Sequence, residues 1–190
     1  MKTIAWDVDD VLNNLTKRWL IYWKNNNPLC KISFNQLTEN PPHKVINIPL
    51  KQYLKSLDKF RMSKNYMQLK PSKIMLNWFA QNGHKFRNIA LTSVPFFAAP
   101  ISANWVLKHF GNWIRTFHFV PSKRKNEKIL KYDTNKIDFL NWIEKVDFII
   151  DDKEDIICKA KEFGIKAILF PAPWNSNKNK SPEIILKEIN

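Results

Sequence analysis

Two carboxylates stand two residues apart at the end of the first apolar run of the chain. Residues 4–6 are apolar, and Asp7 and Asp9 follow. Side chains two apart on a strand point the same way, and ligands of open parallel sheets bind at the carboxyl ends of strands. One carboxylate can attack a phosphoryl group while the other moves a proton, and their repulsion is usually relieved by a cation or a shared proton. Considered alone, the pair is equally consistent with an acidic turn after a strand.

Two later apolar runs also end in groups that suit phosphate or metal binding. Thr92 and Ser93 end the run at 86–93, where a hydroxyl and free backbone N–H groups can bind a phosphate oxygen. Asp151 and Asp152 end the run at 147–151, and their hard oxygen atoms suit Mg²⁺. Each group alone is also an ordinary cap or acidic turn. Their recurrence at the ends of successive strands is the stronger indication.

A basic segment follows a further apolar run, residues 116–120. A lysine there could neutralise the charge of both the nucleophile and the phosphate. Otherwise the segment is a solvated basic loop. Lys125 and Lys123 are the candidates for the active-site lysine.

Strand-like runs alternate with helical patterns along most of the chain. The strand-like runs cover residues 3–9, 86–93, 116–120, 147–151 and 167–171. The helical patterns cover about 13–25, 73–82, 99–110, 136–145, 153–163 and 182–189. This alternation predicts an α/β fold, with a Rossmann-like parallel sheet flanked by helices.

The three glycines each end a helical pattern, at positions 83, 111 and 164. A left-handed backbone suits glycine directly after a helix. No GxGxxG or GxxxxGK[ST] motif exists, which excludes a dinucleotide fingerprint and a Walker loop.

Residues 14–70 are predicted to form a basic insertion after the first strand. Prolines punctuate this weakly periodic stretch, and at least one helix is expected near residues 50–60. Residues 14–73 hold 12 Lys and Arg against two acidic residues, in a chain of net charge +14. A basic surface attracts anionic ligands. AT-rich coding, which favours Lys and Asn, explains the excess equally well.

The composition, 44% hydrophobic and 25% charged over 190 residues, is typical of one globular domain. Aspartates interrupt the N-terminal apolar stretch, so no signal peptide is predicted. The weakly polar run at 88–107 is too broken for a membrane span. Cys30 and Cys158 are far apart in sequence, which favours reduced thiols and a cytoplasmic protein.

In this order the motifs resemble those of the haloacid dehalogenase (HAD) superfamily, over essentially the full chain. The matching motifs are DxD, a strand-terminal Thr or Ser, a basic residue and an acidic pair. Within the superfamily the chain is most similar to the 5′(3′)-deoxyribonucleotidase-like branch. The residues behind that similarity are Asp-Val-Asp-Asp-Val-Leu at the start, Tyr66-Met67 with Leu69 and Pro71, Thr92-Ser93-x-Pro95 with Trp105 and Gly111, and Ile149-Ile150-Asp151-Asp152-Lys153.

The resemblance implies a HAD-like core of residues 1–13 and 71–190, with residues 14–70 as a small, mostly helical cap. It also implies that Asp7 is the nucleophile, which forms an aspartyl-phosphate. Asp9 would protonate the leaving group and then activate water. Mg²⁺ would be held by Asp7, the backbone carbonyl of Asp9, and the pair Asp151 and Asp152.

By the same resemblance, Thr92, the Ser93 backbone and a lysine would bind phosphate. The spacing Ser122-x-x-Lys125 matches the family pattern best, and Lys123 stays open. Tyr66 and Met67 are expected to line the substrate pocket.

Two features depart from the family pattern. Asp10 stands where many relatives have glycine, which adds negative charge near the site. The segment from Lys125 to Asp151 is longer than in the nucleotidases, and its amphipathic residues 137–143 predict an added helix.

The expected function is Mg²⁺-dependent hydrolysis of a small phosphomonoester, first of all a (deoxy)nucleoside monophosphate. Two alternatives stay open. One is a phosphatase that acts on polynucleotide ends, for which the basic cap is the motive. The other is a non-catalytic, basic nucleic-acid-binding protein on the same scaffold. No membrane partner is expected.

Overall fold

A parallel sheet of five strands forms the centre of the molecule. The computed structural model describes residues 1–122, 124, 127–128, 130 and 132–189. The strands are β1 (Thr3–Trp6), β2 (Arg87–Val94), β3 (Ile114–Pro121), β4 (Phe148–Asp151) and β5 (Lys166–Leu169). They pair in the order β3-β2-β1-β4-β5, all parallel. The predicted α/β fold is therefore confirmed.

Helices connect and flank the strands. In the described ranges they are α1 (Leu15–Asn26), α2 (Leu50–Arg61), α3 (Lys64–Met67), α4 (Lys73–Asn82), α5 (Ala99–Phe110), α6 (Lys136–Ile143), α7 (Glu154–Glu162) and α8 (Pro182–Leu186). Helix α2 is the one expected near residues 50–60, and α6 is the added helix expected before β4. No helix in these ranges is long and apolar enough to cross a lipid bilayer.

Strand β1 lies between β2 and β4, and its register explains where the functional groups meet. Trp6 pairs with Ala90 of β2 and with Ile150 of β4. All four residues of β1 and of β4 are buried, as expected for strands covered on both faces. The Asp7 N–H donates to the Ile150 carbonyl at 2.9 Å. The residues that follow β1 and β4 must therefore be neighbours.

The segment between β1 and α4 is packed against itself and against the rest of the molecule through aromatic side chains. Trp19 of α1 donates from Nε1 to Ser56 Oγ of α2 at 3.1 Å and meets the Tyr53 ring edge-on. Trp105 of α5 donates to the Leu69 carbonyl at 2.7 Å. Buried side chains of this segment belong to the same apolar cluster as Trp6. The division into a cap of residues 14–70 and a core stays a prediction.

Two of the three glycines have a right-handed backbone. Gly164 has φ +74°, as predicted, whereas Gly83 has φ −57° and Gly111 has φ −59°. A Cβ added at Gly83 would lie 2.6 Å from Trp113 Cδ1. The prediction of left-handed helix ends is correct only at Gly164, because the other two helices end without that reversal.

Candidate active site

Three buried carboxylates converge at the carboxyl ends of β1 and β4. Asp7, Asp151 and Asp152 each offer an oxygen, and these atoms lie within 4.8 Å of one another. Their relative exposures are 6%, 0% and 2%. The structure thus brings together three of the four aspartates that the sequence analysis assigned to a metal; the fourth is Asp9.

The electrostatics of the cluster favour a bound positive charge. Burial raises the pKa of Asp151, Lys136 opposes that rise, and Asp7 adds to it. Burial also raises the pKa of Asp152 well above its usual value, and the charges of Asp151 and Asp7 raise it further. Crowded buried carboxylates stay ionised only with a compensating cation.

Lys136 is the described cation at the centre of this cluster. Its Nζ lies 2.6 Å from Asp151 Oδ2 and 2.8 Å from Asp7 Oδ2. Burial acts to lower the pKa of Lys136, but Asp151 and Asp7 outweigh burial and the pKa is raised. Lys136 is therefore a charged lysine bonded to both strand ends.

The sequence analysis missed Lys136 and named Lys125, with Lys123 open, for this position. Lys125 and Lys123 both lie outside the described residues. Lys136 begins α6, which Asn135 caps by accepting from the N–H groups of Ile137 and Asp138. A basic residue in the first turn of a helix opposes the helix dipole. That unfavourable placement is the signal in the sequence that marks Lys136.

Asp9 contacts an arginine that the sequence analysis did not consider. Arg61, the last residue of α2, donates from Nη2 to Asp9 Oδ2 at 2.5 Å. Asn13 donates to Asp9 Oδ1 at 3.2 Å. Burial acts to lower the pKa of Arg61, but Asp9, together with smaller contributions from Tyr66, Tyr53 and Asp58, outweighs burial, and the pKa is raised. Helix α2 therefore places a permanent positive charge beside Asp9, the proposed acid–base residue.

Asp10 has a left-handed backbone, with φ 63° and ψ 5°. This conformation explains why glycine suits the position, and Asp is among the residues that tolerate it. The side chain accepts from the Thr16 N–H at 2.9 Å and from Thr16 Oγ1 at 2.5 Å. Burial raises the pKa of Asp10 to about 7, although the Thr16 bonds oppose the rise. Asp10 thus caps the N-terminus of α1. Asn14, the residue directly before this helix, makes no capping hydrogen bond with its side chain.

Thr92 and Ser93 lie at the carboxyl end of β2 and line the same cleft as Asp7 and Asp9. Thr92 is fully buried, and its Oγ1 has no hydrogen-bond partner in the described part of the chain. Buried hydroxyls are nearly always bonded. An oxygen of a bound ligand would satisfy this one.

The cleft holds about 210 Å³ and lies between the strand ends and α2. Helix α2 contributes Tyr53, Leu54, Leu57 and Arg61 to its wall. A larger, aromatic cavity of about 540 Å³ lies beside β3, but none of the clustered carboxylates lines it. The chemistry of the lining, and not the volume, identifies the candidate site.

Tyr66 and Met67, the predicted substrate-pocket residues, do not line this cleft. Tyr66 is buried and meets the Phe60 ring edge-on. Met67 is 47% exposed. Helix α2 supplies the cleft wall in their place.

Arg124 joins the segment after β3 to α2. Its Nε and Nη2 donate to the two carboxylate oxygens of Asp58, both at 2.8 Å. Its Nη1 donates to the Ser122 carbonyl and hydroxyl, both at 2.9 Å. Ser122 and Arg124 also line the cleft. This paired contact holds α2 over the carboxylate cluster.

Asp152 is fixed from two further segments. Trp174 donates from Nε1 to Asp152 Oδ2 at 2.7 Å, and Asn40 Nδ2 donates to the same oxygen at 3.3 Å. Asp151, in contrast, accepts on Oδ2 from Lys136 and on Oδ1 from the Lys153 N–H at 2.9 Å. The two aspartates of the pair therefore have different partners.

No family model matches the sequence, and no curated protein matches it. Solved structures do match its fold. A haloacid dehalogenase-like hydrolase of Streptococcus pneumoniae has a TM-score of 0.66 at 9% identity, over 100% of this chain and 99% of that one. The fold of this chain is therefore HAD-like.

Two further relatives show the same likeness over the full chain. A candidate β-phosphoglucomutase of Thermotoga maritima has a TM-score of 0.61 at 15% identity, over 100% and 98% of the two chains. A candidate phosphoglycolate phosphatase of Lactobacillus delbrueckii has 0.59 at 10% identity, over 99% and 97%. At these identities the likeness concerns the fold.

Proposed function

We propose that the protein is a Mg²⁺-dependent phosphomonoester hydrolase that works through an aspartyl-phosphate on Asp7. The observation that carries this proposal is the contact of one buried lysine, Lys136, with both Asp7 and Asp151 beside Asp152. Burying three carboxylates and an ammonium is costly for a fold. Positioning and neutralising charge are the main requirements of phosphoryl transfer.

The residues fit a magnesium ion. The cluster offers oxygen donors within 4.8 Å of one another, and Mg²⁺ prefers oxygen ligands. The described bonds to Asp152 both end on Oδ2, so its Oδ1 is left for a metal. On Asp7 and on Asp151 each oxygen already accepts a bond, but a carboxylate oxygen has a second lone pair. We assign Asp7, the Asp9 carbonyl and the pair Asp151 and Asp152 as the ligands. A bound Mg²⁺ would neutralise charge on the phosphate oxygens.

The side chains then divide the chemistry. A carboxylate oxygen of Asp7 forms a bond to phosphorus while the bond to the ester oxygen breaks. Asp9 gives its proton to that leaving oxygen. In the second half Asp9 takes a proton from water, whose oxygen attacks phosphorus and releases Asp7 and inorganic phosphate. Thr92 Oγ1 donates to a phosphate oxygen, and Lys136 holds Asp7 in place.

The volume of the cleft bears on the size of the substrate. Ligand pockets for drug-sized molecules hold roughly 300–1,000 Å³, and the cleft holds about 210 Å³. The structure therefore favours a substrate smaller than the nucleoside monophosphate that the sequence predicts. The names of the Thermotoga and Lactobacillus relatives, which concern a sugar phosphate and phosphoglycolate, point the same way.

The finer expectations from the sequence stay predictions. These are the 5′(3′)-nucleotidase branch, a polynucleotide-end substrate, a nucleic-acid partner, and a cytoplasmic location. Both cysteines are free, Cys30 half-buried and Cys158 exposed. A substrate panel with deoxynucleoside monophosphates and short phosphate esters tests the first two.

The proposal is tested by release of inorganic phosphate from p-nitrophenyl phosphate, with Mg²⁺ and with a chelator. Wild type should be active only with Mg²⁺, and Asp7→Asn should be inactive. Asp155→Asn is the matched control, because Asp155 is an exposed aspartate of α7. Substantial Mg²⁺-dependent activity in Asp7→Asn would overturn the mechanism.

A further inference from the structure

Helix α2 has one face in the cleft and one in solvent. Tyr53, Leu57 and Arg61 recur every four residues, so they share one side of the helix. All three are buried and line the cleft. Lys59 is exposed and lies on another face. The face of α2 that lines the cleft is thus mostly apolar, and it ends in one guanidinium, that of Arg61.

Arg61 is buried, and its described hydrogen bonds do not use all of its N–H donors. It is 5% exposed, and its Nη2 donates to Asp9. Its Nε is also buried and has no hydrogen-bond partner among the residues that the structure describes. Buried N–H donors are rarely left unpaired. A guanidinium with donors to spare matches an anionic group with two oxygens.

Holding α2 against the core does not require Arg61. The bidentate pair of Arg124 with Asp58 already joins α2 to the segment after β3. The described contact with Asp9 uses only Nη2, so the buried Nε donor is left for a second planar anion, which the fork of an arginine suits. The remaining capacity of Arg61 therefore points to the substrate.

The position of Arg61 limits the length of that substrate. Its partner Asp9 lies two residues from Asp7, the nucleophile, and all three side chains line one cleft of about 210 Å³. An anionic group that reaches Arg61 must therefore lie only a few atoms from the phosphate ester.

We propose that Arg61 selects a short phosphate ester that carries a second anionic group, in its smallest form a carboxylate, close to the ester oxygen. This inference rests on the proposed function, because it assumes that Asp7 receives the phosphoryl group. Arg61 is then the specificity-determining residue of the cleft. Leu54 and Leu57 contact the short carbon chain.

The test compares phosphoglycolate with phosphoglycolamide, which differ only in a carboxylate against a neutral amide of the same shape. We expect wild type to favour the acid in kcat/KM by roughly 10- to 100-fold, the size of a hydrogen bond between charged groups. Arg61→Gln should bring the ratio to about one. Arg61→Lys should keep part of the preference, and Lys59→Gln should keep all of it.

The ratio of kcat/KM for the two esters separates recognition of the substrate by Arg61 from positioning of Asp9 by Arg61. If Arg61 only positioned Asp9, Arg61→Gln would slow both esters equally and leave the ratio unchanged, which would overturn the inference. Equal kcat/KM for the two esters in wild type would also overturn it.

A binding measurement keeps this test independent of turnover. With Mg²⁺ present, phosphoglycolate should raise the Tm of Asp7→Asn more than phosphoglycolamide does, and adding Arg61→Gln should remove the difference. Equal shifts, or no shift, would overturn the inference. Absence of turnover on every ester would instead count against the proposed function.

Discussion

Lys136 and Asp151 are 15 residues apart in the chain and form a fully buried ion pair, with Nζ 2.6 Å from Oδ2. The same Nζ also lies 2.8 Å from Asp7 Oδ2. One side chain on α6 thus joins the ends of β1 and β4. Its charge is part of the balance that allows the carboxylates to lie so close together.

Removing that charge should destabilise the protein. Lys136→Met leaves two buried carboxylates unpaired, and the expected loss is about 3–5 kcal/mol in the free energy of unfolding. Mg²⁺ should restore part of it, because a cation again faces Asp7. Urea unfolding with and without Mg²⁺ measures both effects. Lys159→Met, on the exposed side of α7, is the control and should change little. Equal stability of the two variants would contradict this account of the cluster.

Titration of Mg²⁺ tests Asp152 as a metal ligand. Asp152→Asn removes a proposed ligand and should raise the Mg²⁺ concentration for half-maximal activity. Trp174→Phe removes the indole N–H that holds Asp152, together with part of the ring, and should lower metal affinity by roughly 10- to 100-fold. The Phe34 ring contact of Trp174 can be kept by phenylalanine. An unchanged Mg²⁺ requirement in both variants would exclude Asp152 as a ligand.

The pair of Arg124 and Asp58 should show a measurable coupling energy. Both side chains are mostly buried, with 15% and 18% exposure, and two parallel hydrogen bonds join them. A double-mutant cycle with Arg124→Gln and Asp58→Asn should give about 1 kcal/mol of coupling in unfolding experiments. The coupling should fall at high salt. Strictly additive losses would show that this contact does not hold α2.

Asp10 should tolerate glycine better than alanine, the reverse of most positions. Both substitutions lose the two bonds to Thr16, but only alanine pays for the left-handed backbone at φ 63°. Asp10→Ala should therefore be less stable than Asp10→Gly by about 1 kcal/mol. Thermal unfolding of the two variants measures the difference. Equal or reversed stabilities would contradict the backbone assignment.

The sequence predicted the fold well because its signals are local. The strand-like runs and helical patterns follow from periodicity, and the observed strands lie within a few residues of the predicted ones. The convergence of Asp7 with Asp151 follows from parallel strands alone. These features need no knowledge of side-chain packing.

The rest of the site could not be predicted because it depends on tertiary contacts. Lys136 reaches Asp7 only through the way α6 packs, and no short spacing connects the two. Arg61 meets Asp9 because α2 folds back over the strand ends, which the weak periodicity of residues 14–70 does not specify. Tyr66 was expected in the pocket because it precedes the second strand unit, but its ring is part of the core.

The nucleophilic role of Asp7 is tested most directly by trapping its phosphoryl form. Asp9→Asn loses the acid and base, a change worth roughly 10²–10⁴-fold in rate. An aryl phosphate has an activated leaving group that needs little protonation, so the first half of the reaction should still proceed while hydrolysis of the intermediate slows.

Asp9→Asn is therefore mixed with p-nitrophenyl phosphate and Mg²⁺, quenched in acid, digested and mapped by mass spectrometry. The peptide that contains Asp7 should carry one phosphoryl group, and Asp7→Asn should carry none. Turnover of the aryl ester by wild type, together with an unlabelled Asp7 peptide or a label on another residue in Asp9→Asn, would contradict the account.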